Sequence, residues 1–280
     1  MKTLTSLFIL CALCCGMSAA APAAAPATKQ PAAGLQPSTN AASAQSATNL
    51  RPSTNALRRI VAIVDYNQTN GTVSARRAMT EMLLAAGLVP VVLPEMDDAS
   101  ADLVLSRCDA VLLGGSVPDN DYARRRAFEQ RVLALAKKRG LIAFGICHGC
   151  QIINQFYGGD IVTVPKERVS VHKNVAPRQR SGTMAEHYAT VKPGDSLMSR
   201  TLGEGRVMVN SSHKWRCGKL ARGFRVTAVS EEDGIIEAIE HETLPIYGFQ
   251  FHPEYYWRKD PRFLELVRNA FLPARSGGDR

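Results

Sequence analysis

The sequence predicts an α/β domain built on a mainly parallel sheet with helices on both faces. Three observations carry this. Continuous aliphatic runs, as in "IVAIV" and "LIAFGI", read as strands buried on both sides. Amphipathic stretches alternate with them, and several of these stretches close on a glycine suited to a helix C-cap. With 280 residues, 45% of them hydrophobic, the chain can bury one good-sized core.

Globular patterning starts at "RRIVAIVDY", whose β-branched run predicts the first strand. "VSARRAMTEMLLAAG" (73–87) predicts a helix, "LVPVVLP" a strand, "SADLVLSRC" a helix and "DAVLLGG" a strand. "DYARRRAFEQRVLALAKKRG" (121–140) predicts a long helix ending on its glycine, followed by the strand "LIAFGI". After residue 160 the segments shorten: "MAEHYATVKPG", "RVMVN", "FRVTAVSEEDG", "IIEAIEH" and "IYGFQFHPE" read as strands. "DPRFLELVRNAFL" predicts a last helix, with Asp260 as N-cap and Pro261 at its first position. The domain is expected to span 58–273, with a flexible tail at 274–280.

The N-terminus is not core. Met1-Lys2, the apolar run "LTSLFILCALCCGM" and "SAAAP" have the charged, apolar and small-residue regions of a secretory signal over 1–20, cut near Ala20 or Ala21. The apolar run is too short for a membrane span. A lipoprotein signal is the rival, because Cys11, Cys14 and Cys15 crowd the region, but none has a leucine three residues ahead with small residues between. The expected location is therefore outside the cytoplasm, periplasmic or secreted. Residues 21–57 are Ala, Pro, Ser, Thr, Gln and Asn, with "LQPSTNA" echoed as "LRPSTNA". That composition cannot offset ordering entropy and reads as a disordered tether.

The formal charge of +9 falls by one when Lys2 leaves with the signal. A basic surface favours anionic substrates or an anionic envelope. Without a basic tract interleaved with aromatics, nucleic acid is not an expected partner.

The chemistry concentrates at "LIAFGICHGCQIINQFYGGD" (141–160), where a strand turns into a helix at Cys147. So tight a corner excludes side chains two residues to either side, and Gly145 and Gly149 stand there. The pattern is the cysteine form of a nucleophile elbow. It places the sulfur at the carboxyl edge of the sheet and at a helix N-terminus, which favours thiolate. A redox C-x-x-C reading of "CHGC" competes with it, since exported proteins permit disulfides. Glycines on both sides of Cys147 argue for the elbow, as does the distant "YGFQFHPEYY". There His252 and Glu254, two apart at a strand end, share a face, and a carboxylate beside an imidazole can fix its tautomer.

The motifs "LLGGS" (112–116), "GICHGCQIIN" (145–154), "VNSSHKW" (209–215) and "YGFQFHPE" (247–254) together resemble the class I glutamine amidotransferases, and within them the γ-glutamyl and γ-glutamyl-γ-aminobutyrate hydrolases. The resemblance runs in order through the whole domain. It implies a flavodoxin-like sheet, Cys147 as nucleophile, His252 as base and acid, and Glu254 as the orienting carboxylate. It also implies an oxyanion hole from the backbone N–H of His148 and one from the Gly114-Gly115 loop. Gln151, Asn210, Ser211 and His213 match positions lining the substrate pocket. His148 stands where these hydrolases often carry Arg or Leu, and Val117-Pro118 precede the expected aspartate, so both departures border the pocket.

The implied activity is hydrolysis of γ-glutamyl amide bonds through a thioester on Cys147, with a small γ-glutamyl substrate as partner. No synthetase domain is expected in this chain, and nothing calls for a metal or an organic cofactor. Cys150 is expected to pack inward, with a disulfide to Cys147 as the alternative. His172, His187 and His241 read as surface or loop histidines, because no ligand set neighbours them in sequence. His148 reads either as tuning the thiolate or as facing solvent. A thiol–disulfide protein and a silent γ-glutamyl-ligand binder are the rival functions. No feature sets the oligomeric state.

Overall fold

The computed structural model describes residues 59–64, 66–69, 72–116, 122–173 and 184–272. The predicted signal, tether and tail lie outside these, as do Val117 and Pro118. The chain divides into two compact units, Met1–Leu50 and Arg51–Arg280. All the described residues belong to the second.

The strands are β1 (Ile60–Val64), β2 (Tyr66–Thr69), β3 (Thr72–Ala75), β4 (Val89–Val92), β5 (Ala110–Leu113), β6 (Ile142–Ile146), β7 (Ile161–Thr163), β8 (Ala185–Val191), β9 (Gly205–Ser211), β10 (Trp215–Cys217), β11 (Phe224–Ser230), β12 (Ile236–His241) and β13 (Ile246–Phe249). The helices are α1 (Arg77–Ala85), α2 (Asp98–Leu105), α3 (Tyr122–Arg139), α4 (His148–Phe156), α5 (Val169–His172), α6 (Leu197–Leu202), α7 (Pro253–Tyr256) and α8 (Arg262–Phe271).

Nine strands form one sheet in the order β4-β1-β5-β6-β13-β12-β11-β8-β9. The first five are mutually parallel, and the last four continue antiparallel. This is the expected mainly parallel α/β sheet with an antiparallel wing. Strand alternation sends Val61, Ile63, Leu112 and Phe144 to one face, against Met79, Met82 and Leu83 of α1 and Phe263, Leu266 and Val267 of α8. The intervening Ala62, Val64, Val111 and Leu113 meet α2, α3 and α4 on the other face. Continuous apolar strands are thus accounted for by burial on both sides.

The expected helix over 73–87 begins later, because Thr72–Ala75 pair with Tyr66–Thr69 as an antiparallel hairpin. The last helix starts at Arg262, one residue later than expected, so Pro261 and not Asp260 is its N-cap; Asp260 accepts the Arg262 N–H at 3.0 Å from one residue further out. Two short elements had no clear sequence signal: the β7–β10 pair and α6. The latter opens with a capping box between Ser196 and Ser199.

Candidate active site

β6 and β13 lie side by side in parallel, Gly145 opposite Gly248 and Ile146 opposite Phe249. Their carboxyl ends therefore deliver Cys147 and His252 to one edge of the sheet, where ligands collect in open α/β folds. Cys147 caps α4 with its backbone at φ 52° and ψ −103°. It is the only non-glycine residue with positive φ among the described residues. Such strain costs on the order of 1–3 kcal/mol and persists only where the surroundings impose it. Here the Cys147 N–H donates to the Phe249 carbonyl at 2.7 Å. The flanking glycines are obligatory on packing grounds. A Cβ on Gly145 would lie 2.5 Å from the Gly149 carbonyl carbon, and one on Gly149 would lie 2.1 Å from the Leu113 oxygen.

The imidazole of His252 binds Glu254 through Nδ1···Oε1 at 2.7 Å, and all three side chains of the trio are buried. A carboxylate accepts only, so Nδ1 carries the proton and Nε2 is turned to the other side. There the Cys147 sulfur acts on the ring as a charge and as a hydrogen-bonding group, while no partner lies within ordinary hydrogen-bond length of Nε2. Burial acts to depress the His252 pKa. The negative charges of Glu254 and Cys147 outweigh it and raise the value to about 10. The ring is thereby an imidazolium across the neutral range. Asn210 fixes its backbone on both sides, donating from Nδ2 to the His252 carbonyl at 2.9 Å and accepting from the His252 N–H at 3.0 Å.

The loop after β5 closes the site. A Cβ on Gly115 would lie 3.0 Å from His252 Cε1, 3.0 Å from an Arg76 guanidinium nitrogen and 3.7 Å from Cys147 Cβ. Gly114 is not equivalent to Gly115, because its N–H donates to the Val64 carbonyl at 3.0 Å. Of the two loop glycines, Gly115 is the one that lies against His252 and Cys147.

His148 does not face solvent. It is buried, with Nε2 2.8 Å from Glu129, and Glu129 also pairs with Arg125 at 3.1 Å. Arg125 donates on to the Gly115 carbonyl at 3.2 Å, so a buried chain of charges joins the residue after Cys147 to the glycine loop.

The expected pocket residues are placed otherwise than as exposed substrate ligands. Both N–H donors of Gln151 are engaged, to the Trp215 carbonyl at 2.7 Å and to Gln250 Oε1 at 3.1 Å. Ser211 Oγ donates to the His172 carbonyl at 3.0 Å, and His213 Nδ1 lies 3.0 Å from the Trp215 carbonyl. All are buried and frame the site from within.

Cys150 packs inward as expected, but its neighbour is Cys217, at 3.8 Å between sulfurs; it sits over Gly248. Its thiol pKa is pushed well up by the Cys217 contact and by burial. Cys147 belongs to the core on one face of the sheet and Cys150 to the core on the other, and all four described cysteines are free. The arrangement does not favour the C-x-x-C redox reading.

Three histidines require correction. His172 and His187 are buried, not on the surface, and they cluster with His213 and Glu237. His241 is likewise not on a loop: it is the last residue of β12, half-buried and paired with Phe224, where its Nδ1 accepts the Leu244 N–H. Sequence reading also missed Gln250, whose Nε2 donates to Cys147 Sγ at 3.6 Å. The signal existed in the spacing by two of Gln250, His252 and Glu254, but all three lie past the end of β13, and Glu254 is in α7 and not on an extended strand face as expected. It gave no sign of Arg76 or Glu129.

A parallel sheet with a cysteine elbow beside a His-x-Glu pair defines a class I glutamine amidotransferase-like protein. Residues 59–254 match the family described as Peptidase C26, and the chain belongs to that family. Among its relatives is the "Putative glutamine amidotransferase PB2B2.05" of Schizosaccharomyces pombe, 29% identical over 210 residues, covering 67% of this chain and 78% of that protein. Protein NtpR of Enterococcus hirae is 26% identical over 216 residues, covering 70% and 87%. The glutamine-hydrolyzing GMP synthase of Ehrlichia canis is 27% identical over 203 residues, which is 71% of this chain but 34% of that one. In fold, the chain is similar to a "putative gmp synthase subunit a protein" from Thermoplasma acidophilum, with a TM-score of 0.54 at 18% identity over 75% of this chain and 94% of that one. Cysteine hydrolase-type chemistry is consistent with this membership.

Proposed function

We propose that the protein is an exported cysteine hydrolase of small γ-glutamyl amides and peptides. The observation that carries the reading is the strained Cys147 elbow set against the His252–Glu254 pair. The thiolate of Cys147 attacks the γ-carbonyl carbon, and negative charge moves to the carbonyl oxygen. The Gly115 and His148 N–H groups receive that charge as oxyanion donors. His252, protonated on both nitrogens, passes its Nε2 proton to the leaving amine, and the C–N bond breaks to leave a thioester. Neutral His252 then takes a proton from water as it attacks the thioester. Collapse releases glutamate and restores the thiolate–imidazolium pair.

A γ-glutamyl donor carries a free α-carboxylate and α-amine beyond the scissile bond. Arg76, beside Gly115, is the cation placed to receive the carboxylate. The signal-like pattern over 1–20 supports export. Family membership and the quoted motifs support the γ-glutamyl specificity, since glutamine is itself a γ-glutamyl amide.

A glutamine-analogue electrophile, followed by peptide mapping, should place one adduct on Cys147. A panel of γ-glutamyl, α-glutamyl and γ-D-glutamyl amides should then release amine from the L-γ series alone. Equal cleavage of α-linked substrates would sink the specificity, exclusive cleavage of the D series would move it to cell-wall fragments, and binding without turnover would make the protein a silent binder.

A further inference from the structure

The buried cluster beside the site has an unusual pattern of donors. Glu237, on β12, is fully buried, and its Oε1 lies 3.4 Å from His172 Nδ1, 3.1 Å from His187 Nε2 and 4.0 Å from His213 Nε2. The outer nitrogens of two of these rings are already assigned. His172 Nε2 lies 3.0 Å from the Asp233 carboxylate, and His213 Nδ1 lies 3.0 Å from the Trp215 carbonyl. Both partners can only accept, so both outer nitrogens carry hydrogen when the rings are neutral. The inner nitrogens, His172 Nδ1 and His213 Nε2, then present lone pairs toward the Glu237 carboxylate. Neither makes a hydrogen bond, and neither does Glu237 Oε2. Acceptors facing acceptors in a dry interior need either a proton or a metal cation between them.

Two features point to a divalent ion. Glu237 and Asp233 are two carboxylates with little or no solvent access, 0% and 6% exposed in their side chains, and a dication balances both while the rings stay neutral. The spacing also fits: His172 Nδ1, His213 Nε2 and a Glu237 oxygen lie within 4.8 Å of one another. Ligands of a tetrahedral ion bonded at about 2.0–2.1 Å stand roughly 3.3 Å apart, close to the 3.4 Å between His172 and Glu237. We propose that His172, His213 and Glu237 bind a divalent transition metal of the zinc class, with Asp233 and the Trp215 carbonyl fixing the two rings from outside.

The carboxylate and carbonyl behind the histidines are the outer partners that orient imidazole ligands in metal sites. A cleft of about 240 Å³, lined by Pro165, Arg168, Arg216, Asp233 and Ile235 among others, reaches Asp233, the outer partner of His172. The ion would tie α5 to β9, β10 and β12. It would also steady the relay from the Trp215 carbonyl through Gln151 and Gln250 to Cys147.

The test is direct. The full-length protein, stripped with a chelator and shown folded by circular dichroism, is titrated with Co2+ and then Zn2+. One equivalent of Co2+ should give the visible absorption of a tetrahedral site, Zn2+ should displace it, and Zn2+ should raise the thermal midpoint. Glu237→Gln and His213→Gln should lose the absorption while Cys147→Ser and Cys150→Ser keep it. Folded wild-type protein that gives neither absorption nor a thermal shift in excess metal overturns the proposal, and His172 is then simply an imidazolium between two carboxylates. Absorption that survives in a folded Glu237→Gln variant but is lost with Cys147→Ser also overturns it, because the metal would sit on the thiol. If both cluster variants fail to fold, the wild-type titration alone decides.

Discussion

The charge on His252 is set by its neighbours more than by its burial, and this makes it testable by pH. With its pKa at about 10, the imidazolium that serves as acid toward the leaving amine persists through neutral pH. The alkaline limb of kcat/KM is expected near that value. Replacing Glu254 by Gln removes a negative charge that favours the imidazolium, so the limb should move to lower pH. A limb that stays in place in Glu254→Gln would show that the carboxylate does not govern the ring. Cys147→Ala should reduce turnover by about four orders of magnitude or more, His252→Ala should approach that loss, and Cys150→Ser should be mild. Arg76→Gln should raise KM about ten- to a hundredfold with a smaller change in kcat, as loss of a charge-assisted contact to the substrate carboxylate requires. Steady-state kinetics on a γ-glutamyl amide would check each variant. Cys147, Gly145 and Gly149 were legible in the sequence because elbow geometry acts over a few residues; His252 and Glu254 were legible from their spacing, although Glu254 lies in α7 and not on the expected strand face. Arg76 and Glu129 were not, because their approach depends on how distant segments dock.

At the scale of elements, the elbow is a contact between three backbones: the end of β6, the start of α4 and the end of β5. A methyl on Gly149 would enter the Leu113 carbonyl, and neither backbone can retreat without breaking the parallel pairing of β5 with β6. Gly149→Ala is therefore expected to cost more than about 3 kcal/mol, at or above the usual range for overpacking. Gly140→Ala is the control. Its φ of 66° is strained for alanine but its Cβ meets nothing within 4 Å, so about 1 kcal/mol is expected. Urea denaturation of both variants measures the difference, and equal losses would mean that backbone strain, not contact, sets the elbow. The parallel half of the sheet was legible because strands buried on both faces must be continuously apolar. The hairpin over 66–75 was hidden because its second strand merges with the helical pattern that follows. The β7–β10 pair was hidden because its strands are three residues each and separated by fifty of sequence.

At the scale of the whole molecule, topology gathers what sequence scatters. His172, His187, His213 and Glu237 come from α5, β8, the turn after β9 and β12, with no ligand-like spacing between any two. A sequence search for metal sites looks for short fixed spacings, so this cluster was invisible until the antiparallel wing was in place. The chain divides at Leu50–Arg51, and the family match, residues 59–254, falls within the second unit. A protein begun at Arg51 is therefore expected to keep the thermal midpoint and the kcat/KM of the longer chain. We propose that residues 1–20 serve export, and the test of that proposal is separate. Expressed with residues 1–57 in place in a host with a general secretory route, the protein should be recovered outside the cytoplasm with an N-terminus near Ala21. Recovery with Met1 intact, or with lipid on Cys15, would refute that processing, while loss of activity in the chain begun at Arg51 would give the first fifty residues a part in the site.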